Sequence, residues 1–391
     1  MVLADLNGGG VQRVMLTLAA GFAERGHEVG LLVGDASGRL RAEVSPKLRV
    51  TELSPASRFR TRWLPLYADP GGAAALLPVV AARRVPTGLD RLSALADALG
   101  RGRPDALVSG TPIPNLLAVW ARTLSGVGTR VLLTEHVAPS QKGRRLLSPL
   151  VRRTYARADA IAAVSRALGD DLSEFTGVPR PRIATLYNPV VHAGIASLAR
   201  VPVAHPWCTP GSPPIVLGAG RLTGQKDFPT LIRAFALLRR RRPARLVILG
   251  AAKNDAKTVQ QRAELMAEAA RLGVAGDVAL PGFTENPFAW MSAAGVFALS
   301  SRFEGLGNVL IEAMACGCPV VSTDCRSGPA EILEGGRHGP LVPVGDPAAL
   351  AAALERVLDA PPDREALRRR AADFSVERAI DAYLALLFPE R

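Results

Sequence analysis

The sequence predicts an α/β protein built from two doubly wound domains. Short apolar runs alternate with helix-length amphipathic stretches from one end to the other, a pattern typical of βα units around parallel sheets. The 391 residues suffice for about two or three domains at ~150 residues each, and 48% apolar residues suffice for their cores. A proline-rich stretch, residues 190–214, breaks both periodicities and predicts a linker near the middle of the chain.

The first half, residues 1–189, is predicted to form an N-terminal Rossmann-like domain. Its strand candidates are residues 2–6, 28–33, 49–53, 105–109, 130–134, 160–164 and 183–186. Helical periodicity predicts helices between most of these strands, at residues 11–25, 89–100, 116–125 and 145–156.

Residues 215–372 repeat this plan and predict a second Rossmann-like domain. Strands are predicted at residues 215–218, 245–249, 278–280, 296–299 and 319–322, and helices at residues 229–240, 258–272, 309–315, 348–359 and 364–372. Residues 373–391 are predicted to contain a further amphipathic helix. Open α/β sheets bind ligands at the carboxyl ends of their strands, so we expect two such domains to face each other across a ligand-binding cleft.

The composition narrows the class of function. The net charge of +13 favours anionic partners, but only 19 aromatic residues are scattered along the chain, which argues against a stacking platform for nucleic acid. Four cysteines do not make a disulfide framework, and Cys316, Cys318 and Cys325 have no histidine within ten residues, so we expect core thiols rather than a metal site. No stretch is long and apolar enough to predict a transmembrane helix, and no signal peptide is visible.

A glycine turn, Gly8-Gly9-Gly10, lies between the first predicted strand and the first predicted helix. Free amide groups and the helix dipole favour an anion at such a turn, and the missing Cβ atoms let the anion approach. The turn matches neither G-x-G-x-x-G nor a Walker A sequence, so an ordinary strand-to-helix turn remains open as well.

A loop with two cations follows the first strand of the second domain. Gly220, Arg221 and Lys226 lie between that strand and the next helix, at the carboxyl end of the sheet. A forked guanidinium and a mobile ammonium suit a diphosphate, so we predict a phosphate clamp formed by Arg221 and Lys226. Two incidental cations in a solvated loop are the alternative.

Two carboxylates with seven residues between them, Glu304 and Glu312, flank a glycine loop and the helix that follows it. Gly305 and Gly307 give a ligand access to the backbone and to the helix N-terminus. The two glutamates can accept hydrogen bonds from different hydroxyls of one ligand, as sugar and ribose hydroxyls would require. The helix dipole alone also favours a carboxylate at Glu304, so a structural role stays open.

These motifs together resemble glycosyltransferase family 4 over nearly the whole chain. The glutamate pair, followed by AMACGCPVV at residues 313–321, is the most specific part, and the glycine turn is the least specific. Further similar stretches are residues 134–136, 163–165, 187–190, 281–283 and 328–331. The first strand departs from the family, because only six residues precede Asn7; either the chain starts late or this strand is truncated.

The resemblance implies a GT-B fold and retaining transfer of a sugar from a nucleotide donor to an acceptor hydroxyl, without a metal or other cofactor. The first domain would bind the acceptor and the second the donor, and the final helix would cross back to the first domain. Arg221 and Lys226 would hold the diphosphate, Glu304 the sugar hydroxyls and Glu312 the ribose. His136 would contact the donor sugar from the first domain. The residues implied to bind the nucleotide sugar are Gly9, Gly10, Gly220, Arg221, Lys226, Phe283, Thr284, Glu304, Gly305, Leu306, Gly307, Asn308 and Glu312.

The donor is expected to be a UDP-sugar, with GDP-mannose as the alternative, and the acceptor a glycan or lipid-linked molecule of polysaccharide or lipid-linked oligosaccharide assembly. A sugar-nucleotide epimerase would need a set of acid and base groups that the sequence does not offer. The sequence lacks the motifs of nucleic-acid-binding proteins, so no nucleic-acid partner is predicted. A non-catalytic sugar-binding homologue is disfavoured because every charged motif position is filled.

A basic and apolar segment predicts the location of the protein. Arg58, Arg60, Arg62 and Trp63 precede an apolar run, and Arg83 and Arg84 follow another. Such a segment suits the surface of an anionic membrane, so we expect a cytoplasmic protein that docks peripherally on the membrane. A surface loop beside an ordinary packed helix is the alternative.

Overall fold

The chain forms two compact α/β units. The computed structural model describes residues 1–57, 61–72, 75–76, 88–139, 148–250 and 256–389. The first unit comprises Met1–Pro189 and Val376–Arg391, and the second comprises Val190–Ser375. Each unit contains one parallel sheet with helices between its strands, which confirms the predicted fold class.

The sheet of the first unit has seven parallel strands in the order β3-β2-β1-β4-β5-β6-β7. Their bounds are β1 Val2–Leu3, β2 Gly30–Val33, β3 Arg49–Glu52, β4 Ala106–Gly110, β5 Arg130–Glu135, β6 Ala160–Ala163 and β7 Ile183–Thr185. The strand order reverses between β1 and β4, so the loops after these strands lie at the topological switch point of the sheet.

The helices of the first unit pack against this sheet or against one another. They are α1 Gly10–Glu24, α2 Leu64–Ala68, α3 Leu92–Gly102, α4 Pro112–Ser125, α5 Ser148–Tyr155 and α6 Arg166–Thr176. The helix at the end of the chain, Val376–Leu387, packs on α1: a Cβ at Gly21 would lie 2.0 Å from Ile380 Cδ1. Ile380, Tyr383 and Leu387 belong to the same apolar core as β1 and α1.

The sheet of the second unit has six parallel strands in the order β10-β9-β8-β11-β12-β13. Their bounds are β8 Ile215–Ala219, β9 Arg245–Leu249, β10 Val278–Gly282, β11 Val296–Leu299, β12 Val320–Thr323 and β13 Leu341–Val342. Here the order reverses between β8 and β11, which are hydrogen-bonded neighbours. The loops that follow β8 and β11 are therefore brought together at one edge of the sheet.

The helices of the second unit surround a core that includes Phe228, Phe235 and Leu354. They are α7 Gly194–Leu198, α8 Phe228–Arg239, α9 Ala256–Arg271, α10 Pro287–Ala293, α11 Asn308–Ala315, α12 Pro329–Ile332, α13 Pro347–Asp359 and α14 Arg364–Ala371; the helix at the end of the chain is α15. Within the described ranges, no helix is both long and apolar enough to span a bilayer.

The structure differs from the predicted elements in a few places. β1 covers only Val2–Leu3, because only these two residues pair with β2, and β13 is a two-residue strand that the apolar pattern did not predict. α6 was also not predicted; it begins at Arg166 and is capped by Ser165, whose side chain accepts a hydrogen bond from Leu168 N. The predicted helix at residues 145–156 is described only from Ser148 to Tyr155.

Candidate functional site

The loop after β8 meets the loop after β11 at the switch point of the second sheet. The first of these loops, residues 220–227, carries Arg221 and Lys226, and the second, residues 300–307, carries Glu304. We call this group of residues, with Gln225 and Ser301, the charged cluster. It brings together three of the residues that the sequence predicts for the site.

Lys226 and Glu304 form an ion pair that is largely shielded from water. Lys226 Nζ lies 2.6 Å from Glu304 Oε1, and only 12% and 9% of the two side chains are exposed. Ser301 Oγ donates a second hydrogen bond to the same oxygen at 2.7 Å, and Gln225 Nε2 approaches Oε2 at 3.4 Å. Both oxygens of the carboxylate therefore contact donors from this unit.

Arg221 occupies a different environment from Lys226. Its side chain is exposed, and Nη2 donates to Gln225 Oε1 at 3.3 Å. Gln225 thus links the exposed guanidinium to the shielded ion pair. The two cations of the predicted clamp are both at the carboxyl edge of the sheet, but only Arg221 is open to solvent.

Backbone contacts also hold the two loops together. Ser300 Oγ donates to Lys226 O at 2.7 Å, and Arg302 N donates to Gln225 O at 2.8 Å. The Arg302 guanidinium pairs with the buried Asp227 at 3.1 Å. These contacts fix the position of the loop that precedes α8.

Glycines are required where the loops approach other backbone. A Cβ at Gly250 would lie 1.8 Å from Gly220 O, and one at Gly328 would lie 1.8 Å from Leu306 O. Gly220 itself has φ +150°, and a Cβ there would meet the Lys226 side chain at 2.8 Å. The residues at 220, 250 and 328 therefore cannot carry a side chain without displacing the charged cluster or its neighbours.

Glu312 lies in the second turn of α11, which begins after Gly307 in the left-handed conformation. Gly305, Leu306 and Gly307 are buried, and Asn308 and Glu312 are partly buried. The amide groups of the first turn of α11 and the carboxylate of Glu312 thus belong to the segment that carries Glu304. The role of these residues in ligand binding stays a prediction.

The segment after β10 carries the residues expected at the nucleotide base. Phe283 is 50% exposed, and Thr284 is partly buried. Burial in the core does not explain an aromatic ring that is half exposed. Its contact with a base stays a prediction.

In the first unit, the glycine turn precedes α1 as predicted. Gly10 is the first residue of α1, and Gly9 occupies the cap position without a side-chain cap. Gly8 has φ +107°, and a Cβ there would lie 2.5 Å from Arg39 Nε. The turn therefore places an arginine beside the N-terminus of α1, a residue that the sequence motif did not indicate.

His136 directly follows β5 and is buried with Thr134 and Ser109. Thr134 Oγ1 donates its only proton to Ser109 O at 2.9 Å, so toward His136 Nε2, at 3.0 Å, it acts as an acceptor. We infer that Nε2 carries the proton of the neutral imidazole. Burial lowers the pKa of His136 to about 4, which a hydrogen bond with Asn188 opposes, so the ring is neutral at pH 7.

A glycine beside this histidine makes room for the ring. A Cβ at Gly110 would lie 3.1 Å from Thr134 Oγ1 and 3.4 Å from His136 Nε2. Nδ1 of His136 is buried inside the first unit. The predicted contact of His136 with a donor sugar stays a prediction.

Three of the four cysteines are buried free thiols. Cys316 directly follows α11, Cys318 precedes β12, and Cys325 follows β12. Burial raises the pKa of the Cys325 thiol to about 12; the charge of Glu304 adds to this rise and Lys226 opposes it. Among the described residues, no three His, Cys, Asp or Glu side chains are grouped so that they could hold a metal ion.

The segment expected at a membrane is described only in part. Arg58, Arg60, Arg83 and Arg84 lie outside the described residues. Trp63 and Tyr67, four residues apart at α2, are 45% and 74% exposed. Their exposure fits the predicted interfacial contact, which stays a prediction.

Sequence reasoning missed Gln225, Ser301 and Thr134 as members of these sites. Gln225 stands next to Lys226, and Ser301 stands three residues before Glu304, so their positions within the motifs were the available signal. Thr134 lies two residues before His136, near the end of β5, so both side chains are on the same side of the strand direction. Each acts through a contact with a residue that the motifs did identify.

Two family models match the chain. Residues 8–193 match the model described as Glycosyltransferase Family 4, and residues 213–360 match the one described as Glycosyl transferases group 1.

Two curated relatives support the same assignment. The N-acetylgalactosamine-N,N'-diacetylbacillosaminyl-diphospho-undecaprenol 4-alpha-N-acetylgalactosaminyltransferase of Campylobacter jejuni is 31% identical over 264 residues, which cover 66% of this chain and 68% of the relative. The lipopolysaccharide core biosynthesis glycosyltransferase LpsE of Rhizobium meliloti is 30% identical over 284 residues, which cover 70% and 76%.

A solved structure shares the fold. Anabaena HepE, determined in complex with UDP and glucose, has a TM-score of 0.74 and 18% identity to this chain, with 98% of this chain and 96% of that chain covered. The likeness identifies the two Rossmann-like sheets as a GT-B fold.

Proposed function

Since the chain belongs to glycosyltransferase family 4 and is a glycosyltransferase, we propose that it transfers a sugar from a UDP-sugar to an acceptor hydroxyl with retention of anomeric configuration. The charged cluster carries this proposal. It combines an exposed guanidinium, an ammonium and a carboxylate at the switch point of the second sheet, where α/β sheets bind their ligands.

The chemistry of each residue fits one part of a nucleotide sugar. Arg221 and Lys226 neutralise the diphosphate and stabilise the charge that develops on it as the sugar leaves. Glu304 accepts hydrogen bonds from sugar hydroxyls, and Glu312 accepts them from the ribose. Fixed cations supply what a divalent metal would otherwise supply, so the reaction proceeds without one.

The remaining predicted residues complete the proposal. Gly9 and Gly10 admit an anionic group at the N-terminus of α1, and Phe283 and Thr284 contact the base. His136 contacts the donor sugar. In this assignment the first unit binds the acceptor and the second binds the nucleotide sugar.

The comparisons support the choice of donor and acceptor. The relative from Campylobacter jejuni acts on a diphospho-undecaprenol, the one from Rhizobium meliloti in lipopolysaccharide core biosynthesis, and Anabaena HepE was solved with UDP and glucose. We therefore propose a UDP-sugar donor and a lipid-linked or envelope glycan as the acceptor.

A panel of nucleotide sugars tests the function. Purified protein is incubated with UDP-glucose, UDP-galactose, UDP-N-acetylgalactosamine and GDP-mannose in EDTA, and nucleotide release and melting temperature are measured. A ligand that binds only the folded protein raises its melting temperature. Release and stabilisation with a UDP-sugar support the proposal, and a response to GDP-mannose alone identifies the alternative donor. No response to any of them, or activity that requires a divalent cation, contradicts it.

We also propose a peripheral contact of the first unit with anionic membrane through Arg62, Trp63 and Tyr67. The two exposed rings suit the interface, and each nearby basic residue contributes about 1 kcal/mol at an anionic surface. Co-sedimentation with vesicles of phosphatidylglycerol and phosphatidylcholine is expected at low salt and is expected to fade at high salt.

A matched pair of variants tests this contact. Trp63→Ser with Tyr67→Ser should reduce vesicle binding, whereas Val259→Ser with Val344→Ser, which also removes two exposed apolar residues, should not. Equal binding by wild type and the first double variant contradicts the proposal.

A further inference from the structure

One of the two cations of the phosphate clamp is already neutralised inside the second unit. Lys226 Nζ contacts Glu304 Oε1 at 2.6 Å, and both side chains are about nine-tenths shielded from solvent. The charge of Lys226 is therefore balanced by Glu304, and of the two clamp cations Arg221 is the exposed one.

Several hydrogen bonds besides the ion pair join the two loops. Ser300 Oγ already donates to Lys226 O at 2.7 Å, and Arg302 N donates to Gln225 O at 2.8 Å. Gln225 Nε2 further donates to Phe303 O at 3.0 Å. These bonds join the same loops without the carboxylate of Glu304, so that carboxylate is free to serve a further role beside cohesion.

We propose that Glu304 is the internal counter-ion of Lys226 and weakens the binding of a free nucleoside diphosphate. The proposal rests on the proposed function, because its ligand is the diphosphate of the donor. A diphosphate that draws Lys226 Nζ toward itself removes a partner from Glu304 Oε1. Its negative charge also meets the carboxylate in a site where shielding from water strengthens their repulsion.

The donor, which carries a sugar, and the nucleoside diphosphate product then differ in the hydrogen bonds that they can donate to Glu304. The hydroxyls of the donor sugar can donate to the carboxylate and replace the contact with Lys226, whereas the nucleoside diphosphate product has no sugar to do so. A buried acceptor that loses a partner is unfavourable. Glu304 therefore selects the donor against the product that remains after transfer.

Neutralising the carboxylate tests this role. Glu304→Gln keeps the shape of the side chain and removes its charge, so we expect it to bind UDP about tenfold more tightly in calorimetric titration. Without ligand, this variant should melt at a lower temperature than wild type, because Lys226 has lost its counter-ion. Saturation with UDP should then raise its melting temperature by more than it raises that of wild type.

Two further variants serve as controls. Glu355→Gln makes the same change in net charge at the opposite edge of the sheet, where Glu355 pairs with Arg241, and should leave UDP affinity unchanged. Lys226→Met with Glu304→Gln carries neither charge and leaves no buried charge unpaired, so it is expected to fold. It should bind UDP no more tightly than wild type, but more tightly than Lys226→Met alone.

The outcomes separate this inference from the proposed function. Unchanged or weaker UDP binding by Glu304→Gln, with binding by wild type intact, overturns the inference and leaves the function standing. Tighter binding by the neutral double variant than by wild type also overturns it, since the gain would not depend on Lys226. If Glu304→Gln does not fold, the comparison of Lys226→Met with the double variant decides. Failure of wild type to bind either UDP or GDP overturns both proposals.

Discussion

The two units hold their candidate chemical groups in opposite electrostatic settings. In the second unit, Lys226 and Glu304 are charged, and Gln225 connects their pair to an exposed Arg221. In the first unit, His136 is buried and neutral, and its proton is directed by Thr134. The charged cluster is thus suited to a ligand that carries charge, and the surroundings of His136 to hydrogen bonding without charge.

The difference follows from where each group leaves its sheet. Lys226 and Glu304 lie on eight-residue loops that follow neighbouring strands and allow the two charged side chains to reach each other. His136 lies directly after β5, so its ring packs among residues of the sheet. Proximity to the strand favours a fixed neutral group, and longer loops favour charges that can change partners.

The largest effect is expected from the charged side of this comparison. Lys226→Ala should lower kcat/KM by ~10²-fold or more, because the developing charge on the leaving diphosphate loses a shielded cation. Arg221→Ala should also lower turnover, but less, since an exposed cation is screened by water. Steady-state kinetics with the preferred nucleotide sugar measure both. Full activity in a variant that carries both Lys226→Ala and Arg221→Ala would contradict the electrostatic role of these cations.

The neutral side of the comparison predicts a dependence of stability on pH. The pKa of His136 is about 4 in the folded state, below the ordinary value of about 6.5, so protonation favours the unfolded chain. The resulting stability is present above pH 6.5 and is lost as the pH falls toward 4.

Between pH 7 and pH 4.5, wild type should therefore lose about 2–3 kcal/mol more unfolding free energy than His136→Gln. Chemical unfolding of both proteins at the two pH values measures this difference. The two proteins have the same carboxylates, so the contribution of the carboxylates cancels when the two losses are subtracted. An equal loss in both proteins would show that the imidazole is not held neutral.

A smaller effect separates the two glutamates of the second unit. Glu312→Ala should weaken UDP binding about tenfold, because the ribose hydroxyls lose an acceptor. Glu304→Ala should mainly reduce turnover of the intact nucleotide sugar, because its assigned partners are sugar hydroxyls. Affinities for UDP and for the UDP-sugar, measured for both variants, test this division of roles. Equal loss of UDP affinity in the two variants contradicts it.

The smallest effect concerns the tautomer of His136, that is, which ring nitrogen carries the proton. Thr134→Val removes the acceptor for Nε2, whereas Thr134→Ser keeps a hydroxyl in its place. Nitrogen-15 NMR of the imidazole should show the Nε2-protonated form in wild type and in the serine variant. In the valine variant we expect a mixture of tautomers and a loss of stability of about 1 kcal/mol. An unchanged spectrum there would show that Thr134 does not set the tautomer.

Much of the fold and part of the site could be predicted from the sequence. The strands from β8 to β12 lie where the apolar runs predicted them. β8, β9, β11 and β12 are buried almost throughout, as expected inside a parallel sheet, whereas β10 is a partly exposed edge strand. β13 was missed because a two-residue strand has no periodicity. The polar residues of the clamp were found from their motifs, since glycines and charges at the end of a strand indicate a ligand loop.

The contacts among those residues could not be predicted. Lys226 and Glu304 are 78 residues apart, and their pairing depends on the adjacency of β8 and β11 in the sheet. The neutral state of His136 depends on burial by several elements of the first unit, and its tautomer depends on the carbonyl of Ser109 on β4. A motif identifies the chemical groups, whereas the strand order determines which of them meet.

The C-terminal helix α15 has a consequence for the order in which the protein is made. The second unit is continuous from Val190 to Ser375, so its whole sequence is synthesised before α15. The first unit starts earlier but lacks Ile380, Tyr383 and Leu387 of its core until α15 has been synthesised. Although domains generally fold in N-to-C order during synthesis, the second unit of this chain is the first whose sequence is complete, and the first unit is completed last.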